Sequence, residues 1–382
     1  MRQLLLLHDG TLSSLAQCRA LGAALRSASL FSKPASPTAV ASAAEAVEAH
    51  VPLSKLSAMA PAWALALASE VTRRPFLGVA SHEAAQRALN AAREAHVDTI
   101  IACGRRTAAL SIGIKRALAS TPGYGPVVNV QILNPRFGSF LRNRYFDAVI
   151  TPQHDGVQGR NIFCTSGALT WVSPETLAEQ RAHETPEETS FLAGTDARQS
   201  PRRLVVLLGG STARKAMEQE TVLDDLHDIF LALEGNFELA LIVCSRRTPP
   251  DMVPLLHALT ESSELPVRVW APYLDPTQPQ SRDPLTLQTF NPYRAALARG
   301  DAFVVTGDSV SIASDACSTG MPVYVLRDGV DGTKPGNKLW RFQEHLRDKG
   351  HVVPAVEDLG RPGRQHRTKD AEEAAAFVLR AI

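Results

Sequence analysis

The chain has 382 residues, 45% of them hydrophobic, and its 40 lysines and arginines against 39 acidic residues leave a net charge of +1. A single core stops growing at roughly 250 to 300 residues, so two globular domains are expected. The near-zero charge excludes a global field for nucleic acid or an anionic membrane, and no apolar run approaches the ~20 residues that span a bilayer.

Leu4 to Leu7 is a short apolar strand, interrupted by His8-Asp9-Gly10 before it reaches the length of a signal-peptide core. Asp9 is the only acidic residue before Glu45, beside Arg2, Arg19, Arg26 and Lys33, a bias shared by transit peptides. A strand, a turn and an Ala/Leu-rich helix over Ser14 to Arg26 account for the same letters. Further strands are predicted at Phe76 to Val79, Thr99 to Cys103, Val127 to Leu133, Ala148 to Thr151 and Ile162 to Thr165, with helices at His82 to Ala95 and Thr107 to Ala119. Short apolar strands alternating with helices imply a mostly parallel sheet covered on both faces.

This α/β pattern assigns 1–171 to a first Rossmann-like domain. Residues 172–201 are rich in Glu, Thr, Ser and Pro and read as an interdomain linker. A second α/β domain follows over 202–355, with strands at Leu204 to Leu208, Leu239 to Cys244, Val267 to Trp270 and Ala302 to Val305. Helices are predicted near Glu218 to Leu233, Met252 to Thr260 and Pro292 to Arg299, and Ala271 to Phe290 reads as a surface excursion. Residues 356–382 form a basic segment and a terminal helix from Ala371. The five cysteines are scattered without a CxxC pair, which implies neither a zinc site nor a disulfide framework, only reduced thiols in a cytosol-facing protein.

The segment from Ala302 to Leu326 carries the sharpest chemical signal. Thr306-Gly307-Asp308-Ser309 lies between a strand and a helix, with Asp308 or Ser309 as N-cap and Gly320 ending the helix. The N–H groups of Ser309, Val310 and Ser311 would face a crevice at the carboxyl end of the sheet, where phosphates bind in α/β folds. Asp315 falls on the same helix face and suits a ribose diol, although a solvated helix carboxylate is an equal reading of that residue alone. Gly209-Gly210-Ser211-Thr212 resembles a phosphate loop without the lysine of a P-loop, and a plain turn explains it as well. Ser245, Arg246 and Arg247 follow the next strand, where guanidinium forks suit phosphate oxygens. In the first domain Asp9, Gly104, Arg105, Arg136, His154 and Asp155 also follow strands and would line the opposing wall of a cleft, with Asp9, His154 or Asp155 as candidate acid/base groups. No DxD motif demands a metal, and no cofactor is implied.

Ala102 to Thr107, Val130 to Arg136, Phe146 to Asp155 and Thr165 to Ala168 resemble the mitochondrial fission protein family of the elongated-mitochondria type. The likeness continues in order through Leu208 to Ser211, Ser245 to Pro249, Asn291 to Tyr293, Val305 to Ser311, Gly320 to Val325 and Lys338 to Phe342. The resemblance implies a GT-B-like architecture, two Rossmann-like doubly wound domains facing across a cleft. It implies a nucleoside diphosphate sugar as ligand of the second domain, with Asp315 where an acidic residue grips the ribose. It also implies an adaptor for a dynamin-related GTPase, cytosolic and peripheral at the mitochondrial outer membrane. The alternative is an active metal-independent glycosyltransferase. Where family members often carry a Gly-His-Glu-Asn-Gln-like sequence, this chain has Thr11 to Gln17, which removes the histidine a transferase would use near its acceptor.

Overall fold

The computed structural model describes residues 2–31, 46–55, 59–194, 201–271, 292–331, 334–361 and 365–381. These form two units, Met1–Trp171 with Lys369–Ile382, and Val172–Thr368. The excursion expected after Ala271 lies outside the described residues.

The first unit contains a sheet of β1 (Leu4–His8), β2 (Val47–His50), β3 (Thr99–Cys103), β4 (Val128–Ile132), β5 (Ala148–Pro152) and β6 (Ile162–Thr165). Its spatial order is β2-β1-β3-β4-β5-β6, and every pairing is parallel. The four leucines of β1 show why such a strand reads as a continuous apolar run. Leu4 and Leu6 pack against α1 (Leu12–Phe31), while Leu5 and Leu7 join α3 (His82–Glu94) and α4 (Ala108–Ala119) on the other face. Two further helices, α2 (Ala62–Thr72) and α5 (Ser139–Tyr145), form a satellite core with α4.

The strand expected at Phe76 to Val79 does not form. Pro75 and Gly78, the latter at φ +88°, break it into turns, and Val79 makes only an isolated antiparallel bridge to Leu53. Its apolar letters serve core packing instead, since Phe76 and Val79 are both buried. The edge position belongs to β2, whose Val-Glu-Ala-His alternates half-buried and exposed residues. Arg19 from α1 grips Glu48 of β2 with two hydrogen bonds of 2.6 and 2.7 Å.

The second unit contains β7 (Arg203–Leu208), β8 (Leu239–Cys244), β9 (Val267–Trp270), β10 (Ala302–Thr306) and β11 (Val323–Leu326). Their order is β11-β10-β7-β8-β9, again all parallel. The segment expected to be a linker instead carries α6 (Pro174–Ala182) and α7 (Pro186–Leu192), which pack on α10 (Pro292–Arg299) within this unit. Each begins with a capping box, at Ser173 and Thr185. The other helices are α8 (Gln219–Ala232), α9 (Met252–Ser262), α11 (Val310–Ser318) and α12 (Lys338–Asp348).

The terminal α13 (Asp370–Arg380) belongs to the first unit, not to a separate tail: Ala374, Ala375 and Val378 pack with α1 residues Leu21 and Leu25. Its anchor is Asp370, whose carboxylate accepts from the amides of Ser166 at 2.8 Å and Gly167 at 3.0 Å. Cys18, Cys103, Cys244 and Cys317 are buried free thiols, and burial pushes the Cys244 thiol up to about 12.

Candidate functional site

Strand order fixes where each sheet can hold a ligand. In the second unit the winding reverses between β7 and β10, so a crevice at their carboxyl ends is bounded by the turns after β7, β8 and β10. All three turns meet at this rim.

Their polar groups, however, engage one another. The Gly209 amide donates to Thr306 Oγ1 at 2.7 Å, and the Gly210 amide donates to Asp308 Oδ2 at 3.1 Å. The Gly209 carbonyl accepts from Ser245 Oγ at 2.7 Å and Thr248 Oγ1 at 2.6 Å. Arg247 reaches across to Asp308 at 2.6 Å, and its own carbonyl accepts from the Ser211 amide at 3.1 Å. The expectation that the two glycines present open amides to an anion is therefore corrected: Thr306 and Asp308 take them. The Asp308 side chain is wholly closed to solvent, and such a carboxylate needs donors and a countercharge from its own surroundings.

Glycine is needed here for proximity rather than for a phosphate. A Cβ on Gly209 would lie 2.3 Å from the Asp308 carboxylate oxygens, and one on Gly210 would lie 1.9 Å from the Arg247 carbonyl. Ser211 and Thr212 fold back locally, Ser211 Oγ accepting from the Met217 amide and Thr212 Oγ1 donating to Asp331 at 2.9 Å.

Ser309 caps α11, its hydroxyl accepting from the Ile312 amide at 3.5 Å, and Val310 is the first helical residue. The Gly307 carbonyl before it is held by Gln343 Nε2 from α12 at 2.8 Å. Asp315, the expected ribose ligand, accepts from the Tyr293 hydroxyl of α10 at 2.6 Å. Burial, and then the neighbouring Asp315 carboxylate, push the Tyr293 hydroxyl well above its ordinary range, so it stays protonated and donates. Arg246 and Arg247 are both exposed in the β8 turn, and of the two it is Arg247 that pairs with Asp308.

In the first unit the reversal falls between β1 and β3, which brings Asp9 beside Gly104: a Cβ at Gly104 would stand 3.3 Å from Asp9 Oδ2. Asp9 Oδ1 accepts from the Thr11 amide at 3.1 Å and the Thr11 hydroxyl at 2.8 Å. Burial alone would raise the Asp9 carboxyl, but the hydrogen bonds from Thr11 and Ser14 prevail and hold it below the usual carboxylate range. A carboxylate so stabilised is a weak proton acceptor.

The turns after β4 and β5 lie at the same end of the sheet. Arg136, at φ +58°, is exposed and donates its amide to Asn134 Oδ1 at 2.8 Å, while Arg105 is exposed after β3. His154 is buried, whereas Asp155 is only half-buried and accepts from Thr151 Oγ1 at 2.9 Å.

Three features of these rims were missed in the sequence. The sequence offers Arg247, with Arg246, only as a phosphate fork, with nothing to tell that it turns to Asp308, and Gln343 carries no local signal at all. The third is a stacked pair of imidazoles, His8 and His50, with ring centroids 5.4 Å apart at the ends of β1 and β2. His8 Nδ1 accepts from the Gly10 amide at 3.2 Å, and burial followed by the His50 charge holds the His8 imidazole below its ordinary value. Finding this pair required recognising β2. Among the described residues, no group of three or more His, Cys, Asp or Glu is placed to hold a metal ion, and no helix is long and apolar enough to cross a membrane.

Among solved structures, the chain is similar to the UDP-GlcNAc 2-epimerase from Methanocaldococcus jannaschii, with a TM-score of 0.50 and 11% identity over 100% of this chain and 99% of that one. That similarity is one of fold, the GT-B class of two parallel-sheet Rossmann-like units. Among curated relatives, "Mitochondrial fission protein ELM1" of Arabidopsis thaliana is 31% identical over 309 residues, 74% of this chain and 63% of that protein. "Uncharacterized protein RP120" of Rickettsia prowazekii (strain Madrid E) is 24% identical over 253 residues, 60% of this chain and 64% of that protein. The matches thus span just under two thirds of the length of these relatives. The family model described as "Mitochondrial fission ELM1" matches residues 14–382, and the chain belongs to that family.

Proposed function

We propose that this chain is an adaptor of mitochondrial fission, holding a dynamin-related GTPase at the cytosolic side of the outer membrane on a glycosyltransferase-type frame that does not transfer sugar. Family membership supports the adaptor role. The observation that carries the non-catalytic part is the fully buried side chain of Asp308, held by Arg247 and the Gly210 amide at the switch point of the second sheet. A donor's diphosphate at the same place would meet a fixed negative charge and amides already engaged. The weakly basic Asp9 in the first unit argues the same way.

A second reading is favoured by the relative in Rickettsia prowazekii, a bacterium, which has no mitochondria to divide. A family role older than organelle fission would then be binding or transfer from a nucleoside diphosphate sugar. On this reading the ligand engages the first turn of α11, Ser309 and Arg246, and displaces Arg247 from Asp308.

Two measurements separate these readings: calorimetric titration and turnover assays with nucleoside diphosphates and their sugars, and capture of a purified dynamin-related GTPase on the immobilised chain. The adaptor reading expects saturable capture and no donor turnover. Absence of capture overturns it, whereas sugar transfer that disappears in Asp315→Ala establishes the enzymatic reading.

A further inference from the structure

At the outer edge of the second sheet, beyond β11, lies a furrow separate from the rim just described. Two hollows of about 380 Å³ each adjoin there, sharing Arg347, Val352, Val353 and Pro354 as a common wall. An elongated recess of this kind suits an extended chain better than a single ion. Tyr324, Val352 and Pro354 give it an apolar surface, and the Tyr324 ring is only partly covered.

Charge identifies the occupant. The first hollow carries the carboxylates of Asp225 and Asp228 from α8, Asp328 after β11, and Glu357. Its two arginines, Arg327 and Arg347, both turn to Glu344, at 2.7 and 3.5 Å. His227 lies 3.8 Å from Asp228 on the same helix, and the other three carboxylates have no ion pair among the described residues. Burial, and after it the charges of Asp328, Asp228 and Asp224, raise the Asp225 carboxyl above its ordinary value, as expected where like charges lack a countercharge. The second hollow is close to neutral, with Asp358 and Arg361 paired at 2.5 Å.

We infer that this furrow docks an extended, lysine- or arginine-bearing segment of a partner protein, with an aliphatic stem over Tyr324 and its cationic head among Asp225, Asp228 and Asp328. An aromatic face beside carboxylates binds such a side chain by apolar contact, cation–π attraction and charge together. The neutral second hollow receives the uncharged flank of the same segment. This goes beyond the adaptor role and does not depend on it, because the surface is defined by its own chemistry and no residue of the β7, β8 or β10 turns lines either hollow.

The test uses the full chain and three probes: a fluorescent nonapeptide alternating Arg and Val, its Glu-for-Arg counterpart, and free spermidine. The basic peptide is expected to bind saturably, more weakly at high salt, and at least tenfold more weakly to Asp225→Asn/Asp328→Asn. Glu220→Gln, which removes an exposed charge from α8 outside the furrow, is expected to leave binding unchanged. A photo-crosslinking version of the peptide on the wild-type chain is expected to label 225–229, 324–328 and 352–357, which tests the site even if the double variant fails to fold. No binding by the wild type, equal loss in both variants, labelling elsewhere, or equal affinity for spermidine or the acidic peptide would each overturn the assignment.

Discussion

Asp308 turns a loop that looks built for an external anion into one built around an internal carboxylate. One oxygen receives the Gly210 amide and Arg247, while Oδ1 has no hydrogen-bond partner among the described residues. Removing one member of a buried pair is far more damaging than removing an exposed charge. Arg246→Ala and Arg247→Ala should therefore differ although the residues are adjacent. We expect Arg247→Ala to cost about 2 kcal/mol of unfolding free energy, below the roughly 3 to 5 kcal/mol of a fully enclosed pair, because the Arg247 side chain is 39% exposed. Arg246→Ala should stay within about 0.5 kcal/mol of wild type. Urea denaturation of both variants measures the difference, and equal losses would remove the distinction drawn between them. Gly210→Ala belongs with Arg247→Ala: its methyl would meet backbone rather than a movable side chain, at 1.9 Å, so a loss of about 1 to 3 kcal/mol is expected in the same assay.

At the scale of elements, strands buried on both faces were legible because parallel sheets write them as apolar runs, and β1, β3, β7, β8 and β10 all follow that rule. The errors have physical causes. Phe76 to Val79 is apolar because a turn segment fills the core, whereas β2 alternates because it lies at an edge. The supposed linker carried readable helix starts in Ser173-Pro174 and Thr185-Pro186, with Glu188 completing a capping box, but its polar composition obscured them. The common rim of the three turns was legible from the strand and helix pattern. That Asp308, Thr306 and Gln343 would consume its hydrogen bonds was not, since those contacts join residues far apart in the chain. Asp370, at the start of α13, illustrates the same limit and gives a pH test. Burial raises its carboxyl to about 6, with Glu373 and Glu372 adding to the rise and the amides of Ser166 and Gly167 opposing it. Because the folded value lies above the ordinary 3.8, its contribution is complete below about pH 4 and is lost as pH rises through about 6. The difference in unfolding free energy between wild type and Asp370→Asn should fall by up to about 3 kcal/mol across that window. A pH-independent difference would show that the carboxyl does not titrate there.

For the molecule as a whole, the course of the chain matters as much as either sheet. It leaves the first unit after Trp171, builds the second, and returns at Lys369. Just before the return, the Thr368 amide donates to the Cys317 carbonyl and the Thr368 hydroxyl meets Ser318, both on α11. Two residues later, Asp370 is fastened to the first unit. The stability of that unit thus depends on the last residues of the chain. Ala371, Ala374, Ala375 and Val378 cover a face of the first core that also includes Leu4, Leu6, Leu21 and Leu25. At ~0.8 kcal/mol per buried methyl-sized group, their removal is worth about 4 kcal/mol. Ending the chain at Thr368 should therefore speed amide exchange in β1, β3 and β4 by about a thousandfold, since every 1.4 kcal/mol is roughly a factor of ten. Exchange in β7, β8 and β10 should be unchanged, because their core is made by α8, α9 and neighbouring strands without any residue of α13. If those strands accelerate equally, the terminal helix supports both units at once, and the division of stability argued from the two cores fails.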